Sequence, residues 1–464
     1  MVHFRDELRE PVSPLGQCLD SNILCVYILA VLEFDVPIHN LQIASLLRDA
    51  FLSIPRFTSI MVLDQKGVKR WKQVEVKLEE HITEPTFIDG MSMDSYDKAF
   101  GDYLSRITME KLPQTKPLWQ VHVIKYPTSN AAGTLVFKVH HAVGDGYTLM
   151  GLLLSYLQRA DDPSLPLSFP SRKSSKITSN CFDQLQKVPK FLSTIFNSVS
   201  DFGWSLMKST LLEDDKTPIR SGADAVEFRP PVVSNISFSI DHIKEIKSKL
   251  GVTVNDVITG IIFYGIRLYM QDNDYRSRTL KSTAMVTVNR RNVKDYQKVQ
   301  DMLKTNAKGA WGNQITYLHV SMPKLKDTQI SNPLQFVKTV HTSIKRKKHS
   351  FATVLIHKLL LLKNKLEGSE ATAEHIHRTL RNSSLVMSNM IGPLEQMAFG
   401  NHPIRSFFFT LSSLPQSLLI TIMSYMGTLR VTIATEKGFI DEQKLVGYLN
   451  HAFEILRHEA ANKV

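Results

Sequence analysis

At 464 residues, 43% apolar and 22% charged, the chain is too apolar for a disordered protein and too long for one ordinary core of roughly 100–200 residues. A net charge of +12 favours an anionic partner such as a phospholipid surface, a nucleotide-bearing substrate or nucleic acid, and says nothing about fold. Three cysteines, Cys18, Cys25 and Cys181, without a CxxC pair or a His/Cys cluster at zinc spacing, indicate neither a disulfide framework nor a structural zinc site.

The N-terminal "MVHFRDELREPVSPLGQ" has charges where a cleavable leader needs an apolar stretch. "ILCVYILAVLEF" (23–34) is strand-like and "IASLLRDAFLSI" (43–54) has helical apolar spacing. "LPQTKPLWQVHVIKY" then leads into "TLVFKVHH", giving an α+β pattern. Between about 161 and 224 the composition shifts to Pro, Ser, Lys and Asp, the mark of a connecting segment. We therefore expect an N-terminal lobe over 1–165, a connector over 166–224 and a C-terminal lobe over 225–464.

Inside the connector, Val188, Phe191, Leu192, Ile195, Phe196, Val199, Phe202 and Leu206 fall at helical spacing, with Lys187, Lys190 and Lys208 at the ends. Both a helix lying in a membrane interface and a helix packed on one lobe have this pattern. Beyond it, residues 235–270 read as strand, helix, short break, helix, and "TAMVTVNRR" and "ITYLHVSMP" as strands. "FFFTLSSLPQSLLITIMSYMGTL" (407–429) comes nearest to a membrane-spanning run, but Pro415, Gln416 and serines interrupt it. Its alternating second half is better read as a β-hairpin turning at Met426 and Gly427. "EQKLVGYLNHAFEILRHEAA" closes the chain as an amphipathic helix.

The chemistry concentrates in "VFKVHHAVGDGYTL" (136–149). Neighbouring side chains leave a strand on opposite faces, so His140 and His141 cannot both enter one site. A metal needs at least three converging ligands, and only Asp145 stands near, so no metal is expected. His141 stands where the chain leaves a sheet for a helix starting near Tyr147, a place where a cleft can form. Gly144 and Gly146 permit a tight backbone path, and Asp145 can cap the helix or pair with a basic group. An imidazole with a pKa near 6.5 can take a proton from a hydroxyl and return it. No GxSxG elbow accompanies it, so direct attack with His141 as general base is the economical mechanism.

"HHAVGDG" resembles the HHxxxDG signature of CoA-dependent acyltransferases with the chloramphenicol acetyltransferase-like fold, which peptide-synthetase condensation domains share. "EPVSPLGQ", "KPLWQVHVI", "VTVNDVITG", "WGNQITYLHVSMP" and "SNMIGPLEQMAFGNHPI" occur in the order and rough spacing of the plant-type wax ester synthase/diacylglycerol acyltransferase family. The resemblance implies a two-lobe α+β fold with mixed sheets and an inter-lobe tunnel. It also implies transfer of a long-chain acyl group from acyl-CoA to a fatty alcohol or diacylglycerol, with acyl-CoA as substrate and no further cofactor. The location implied is the endoplasmic reticulum membrane, or the plasma membrane.

In that frame His141 is the base and Asp145 its structural partner, while His140, Gly146, Trp119, Asn255, Asp256, Ser388 and Asn389 belong to the substrate site. Asn255 is a candidate oxyanion donor or a helix N-cap; Trp119 is a tunnel wall or a core residue. Met390 and Ile391 stand where the family commonly has Val and Pro, which bears on acyl-chain preference. "IKRKKH" (344–349) is either a site for CoA phosphates or lipid headgroups, or a solvated helix face. "DFGWS" (201–205) is set aside as chance similarity to a plant small-acceptor acyltransferase box. No nucleic-acid module is present. A soluble transferase acting on a small acceptor, or a non-catalytic lipid binder, are the competing readings.

Overall fold

Two mixed sheets carry the architecture of the computed structural model, which describes residues 8–38, 43–170, 187–291, 296, 311–330, 332–348 and 350–462. Cys181 and the side chains of Lys187, Val188, Lys190, Phe191 and Leu192 lie outside the described set. The first sheet has seven strands, in the order Ile82–Thr83, Trp119–Ile124, Gly133–His140, Tyr27–Phe34, His402–Ser412, Met397–Phe399, Gln158–Arg159. Every residue of Gly133–His140 is buried, as expected for an interior strand covered on both faces. The second sheet runs Ile315–Ser321, Thr283–Asn289, Leu385–Ile391, Leu418–Tyr425, Thr428–Glu436, Pro231–Ser239. Both contain parallel and antiparallel neighbours, so the expected two-lobe mixed-sheet fold holds.

One boundary needs correction. His402–Ser412 pairs antiparallel with Tyr27–Phe34, so residues 397–412 cross from the C-terminal part of the chain into the sheet of the N-terminal lobe. Its apolar stretch "FFFT" is buried there, in an interior strand of the sheet.

Local chemistry sets the joints. Met426 and Gly427 both have positive φ, 48° and 70°, and form the two-residue turn between Leu418–Tyr425 and Thr428–Glu436. Helix Ile240–Leu250 stops at Gly251, which takes the left-handed conformation at φ 67°. Thr253 then starts helix Val254–Asn273: its side chain accepts from the Asp256 amide, and the Asp256 carboxylate accepts from the Thr253 amide. These two helices meet at 99°, and the second is buried along most of its length. Among the described residues, no single helix is long and apolar enough to cross a membrane.

The connector is less of a spacer than its composition suggests. Its helix, Lys187–Thr210, packs along helix Ala352–Arg381. Asp214 is buried, accepting from Lys208 Nζ at 2.6 Å, the Thr283 amide at 2.6 Å and Ser384 Oγ at 2.7 Å. Polar residues that read as loop material are thus tied into the second lobe.

Candidate active site

Strand alternation separates the two histidines. His140 is fully buried against Asp20, Cys25 and the edge of the Tyr27 ring. Its Nδ1 accepts from the Ala142 amide at 3.1 Å, which leaves Nε2 as the N–H, 3.3 Å from Asp20 Oδ1. Burial drives its pKa down to about 4. His140 lies off the cavity, and its expected place in the substrate site is corrected accordingly: the strand turns its ring to the other face.

His141 turns into the cavity. Its Nδ1 lies 2.8 Å from Asn313 Oδ1, and Asn313 Nδ2 donates to the His141 carbonyl at 2.9 Å. A carbonyl only accepts, so the second bond fixes the Asn313 amide with its NH₂ toward the backbone and its oxygen toward the ring. The ring must then carry its proton on Nδ1, and Nε2 keeps a lone pair. Burial lowers the His141 pKa; the charge of Asp145 and the bond to Asn313 oppose that shift. The net effect favours the neutral ring over the imidazolium.

Asp145 does not face the cavity. It is the N-cap of helix Gly146–Tyr156, accepting from the Thr148 amide at 3.1 Å. Its other oxygen accepts from Arg291 Nη1 at 2.6 Å and from the Gln314 amide at 2.8 Å. Arg291 also donates to the Gly312 carbonyl at 2.7 Å. The carboxylate therefore ties the loop after His141 to the segment that delivers Asn313. The glycines act by space: a Cβ on Gly144 would meet the Thr148 side chain at 2.9 Å, and one on Gly146 would meet Met390 Sδ at 3.3 Å.

The cavity, about 530 Å³, is lined by both lobes. Phe51, Phe137 and Val139 contribute from one side, and Ile258, Leu318 and Ile422 from the other. The exposed residues Pro170, Lys348 and Asn389 stand on its rim, so it reaches the surface. His141, Gly146, Asn255, Ser388 and Asn389 all line it. Asn255 is not an N-cap, since Thr253 holds that position; its Oδ1 accepts from Asn389 Nδ2 at 2.9 Å. Met390 and Ile391 are also on the wall.

Trp119 and Asp256 are not brought to the cavity. Trp119 is a core residue, stacked on His81 and donating from Nε1 to the Phe57 carbonyl at 2.9 Å. Asp256 is spent on the helix cap and on His341 Nδ1 at 2.7 Å. "IKRKKH" divides: Ile344 and Lys348 line the cavity, while Arg346 and the buried Lys347 pair with Asp201.

Asp20, Cys25 and His140 each place a potential metal-ligand atom within 4.8 Å of the others. Lys69 already supplies a positive charge to Asp20, Gln114 donates to its other oxygen at 3.0 Å, and His140 Nδ1 is taken by a backbone amide. The trio is a self-satisfied polar cluster behind the His141 strand.

Asn313 and Arg291 escape the sequence reading. Asn313 sits in "WGNQITYLHVSMP", but no spacing rule joins it to a histidine 172 residues earlier. With them in place, the site offers a neutral imidazole whose available nitrogen is Nε2, an amide-bearing wall at Asn255 and Asn389, and an apolar chamber. That set can accept a proton from a hydroxyl and hold a long apolar chain out of water.

Comparison with known proteins gives a consistent result. Residues 54–258 match the wax ester synthase/diacylglycerol acyltransferase catalytic domain, and residues 311–457 match the WS/DGAT C-terminal domain. Wax ester synthase/diacylglycerol acyltransferase 7 of Arabidopsis thaliana is 29% identical over 93% of this chain and 94% of its own length. Number 3 of the same plant is 26% identical over 98% and 94%. Among solved structures, the wax ester synthase/diacylglycerol acyltransferase from Marinobacter aquaeolei VT8 superposes with a TM-score of 0.62 at 15% identity, covering 98% of this chain and all of that one. The first condensation domain of the CDA synthetase gives 0.58 at 14% identity, covering 98% and 97%.

Proposed function

Because the chain belongs to the wax ester synthase/diacylglycerol acyltransferase family of acyltransferases, we propose that it transfers a long-chain acyl group from acyl-CoA to a fatty alcohol, forming a wax ester, and more weakly to diacylglycerol. His141 Nε2 takes the proton of the acceptor hydroxyl as its oxygen attacks the thioester carbon. The tetrahedral intermediate places its negative charge on the former carbonyl oxygen, toward which the Asn255 amide is the candidate donor. Collapse breaks the carbon–sulfur bond, and the departing CoA sulfur takes the proton from the imidazolium. The ester forms, and no covalent acyl-enzyme intervenes.

The observation that carries this reading is the Asn313–His141 pairing, which leaves a neutral imidazole with Nε2 as its available nitrogen on an apolar inter-lobe cavity. Burial of each methylene contributes about 0.8 kcal/mol, so a long chain suits such a chamber better than a small acceptor. Lys348 on the rim is suited to the phosphates of CoA. Fatty alcohol and diacylglycerol both dissolve in membranes, which favours work at the endoplasmic reticulum or plasma membrane surface. The test is a substrate panel on purified protein. Palmitoyl-CoA with hexadecanol should release CoA faster than acetyl-CoA or an aromatic acyl-CoA with small alcohols or amines. Preference for the small acceptors contradicts the proposal, and so does bound lipid with no CoA release.

A further inference from the structure

Helix Lys187–Thr210 is inside out. Among its described side chains, Ser198, Asp201, Ser205, Lys208 and Ser209 face the protein. Asp201 is held by Arg346 and Lys347, and Lys208 by Asp214. The outward face carries Ile195, Phe196, Val199, Leu206 and Met207, continued by Leu211, with Phe196 75% and Leu211 80% exposed. Both charged residues between 195 and 210 are buried, so this outward face has no charge. A helix on a water-facing surface normally has the opposite arrangement.

The neighbouring helix buries Ala352, Ile356 and Leu360 in the usual way but adds a second exposed apolar row. Phe351 donates its amide to Ser198 Oγ at 2.8 Å, which joins the two elements. From there Phe351, Leu355, Leu362 and Leu366 follow at spacings of four, seven and four residues, all exposed, up to the break at Gly368. Lys358, Lys365 and Glu367 are exposed in the same stretch, and Glu367 is neutralised by its ion pair with Lys363. Lys348, on the rim of the cavity, is three residues before Phe351, so that end of the apolar row lies within about 11 Å of the rim along the chain.

We propose that these two helix faces form a docking surface for an anionic phospholipid bilayer, with Phe196, Val199, Leu211, Leu362 and Leu366 entering the acyl boundary and Lys358 and Lys365 meeting headgroup phosphates. The uncharged apolar face of the first helix, beside the exposed Lys358 and Lys365 of the second, on a chain of net charge +12 matches such a surface in both polarity and sign. Its closeness to the cavity rim at Lys348 would shorten the path of a lipid acceptor from bilayer to site. The inference deepens the membrane location proposed above and rests on it.

The experiment is co-sedimentation of the full-length protein with vesicles of phosphatidylcholine alone or mixed with phosphatidylserine, in the absence of substrates. The parent should pellet more strongly with the anionic vesicles. Replacing Phe196, Val199 and Leu211 by serine should weaken binding to both kinds by about tenfold with an unchanged melting temperature, since each side chain already faces outward. Leu362→Ser with Leu366→Ser probes the same surface from the other helix and should act in the same direction. Lys358→Glu with Lys365→Glu should remove the preference for phosphatidylserine. Parental pelleting by both serine variants overturns the proposal. So does a parent that dimerises and a serine variant that becomes monomeric with its vesicle binding intact, because a second copy would then be the occupant. Vesicle binding without turnover would count against the reaction and leave this surface standing.

Discussion

Asn313 and His141, 172 residues apart, exchange two hydrogen bonds: the ring's Nδ1–H to the amide oxygen, and the amide NH₂ to the histidine's own carbonyl. The pair fixes both the tautomer and the orientation of the imidazole, and it spans the two lobes. Asn313→Ala should lower kcat by about a hundredfold with little change in KM for acyl-CoA, the loss expected when a general base is no longer held in one tautomer. Asn313→Asp should keep an acceptor for Nδ1–H and add negative charge, so the acid limb of the kcat profile should move to higher pH. Steady-state kinetics across pH measure both. Parental profiles in both variants would show that Asn313 only packs.

Arg291 and Asp145 form a buried ion pair at 2.6 Å. Arg291→Ala strands a carboxylate with no access to water, a change that costs about 3–5 kcal/mol. Denaturant unfolding should show it. The double variant Arg291→Ala with Asp145→Asn should be less destabilised than the sum of the two single changes, because the stranded charge is gone.

Several histidines are buried in neutral form. Burial lowers the pKa from 6.5 to about 4 in His122 and His140 and to about 3 in His319. The unfolded chain therefore takes up protons before the folded one does as pH falls. The stability these groups contribute is fully present above about pH 6.5 and is lost progressively as pH drops through the folded values. Melting temperature against pH should decline steadily below about 6.5; His319→Phe should flatten part of that decline, and an unchanged slope would contradict it.

Met390 and Ile391 stand on the cavity wall, and Met390 Sδ is close against Gly146. Met390→Ala should enlarge the chamber and shift the acyl-CoA preference toward longer or bulkier chains, while kcat on the best substrate changes by less than about threefold. A chain-length series of acyl-CoA substrates reads the shift directly. An unchanged profile would place the acyl chain elsewhere.

What the sequence discloses is what local rules govern. Alternation along a strand separates His140 from His141, left-handed turn chemistry places the hairpin at Met426 and Gly427, and an aspartate before Gly146 caps a helix. Asn313, Arg291 and the return of residues 397–412 to the first sheet are long-range facts, and no period or spacing encodes them. The Lys187–Thr210 helix makes the point most sharply. Its apolar spacing is plain in the sequence, but which face turns inward depends on Arg346, Lys347 and Asp214 being present to satisfy Asp201 and Lys208. Trp119 and Asp256 illustrate the converse, where a motif residue serves the core or a helix cap.

The central claim is that one imidazole moves the proton. The direct measurement is thiol-detected CoA release from palmitoyl-CoA and hexadecanol by purified His141→Ala, with circular dichroism and melting temperature recorded on the same sample. The account predicts a folded protein whose turnover has dropped by about 10²–10⁴-fold. A folded His141→Ala that releases CoA at the parental rate would contradict it.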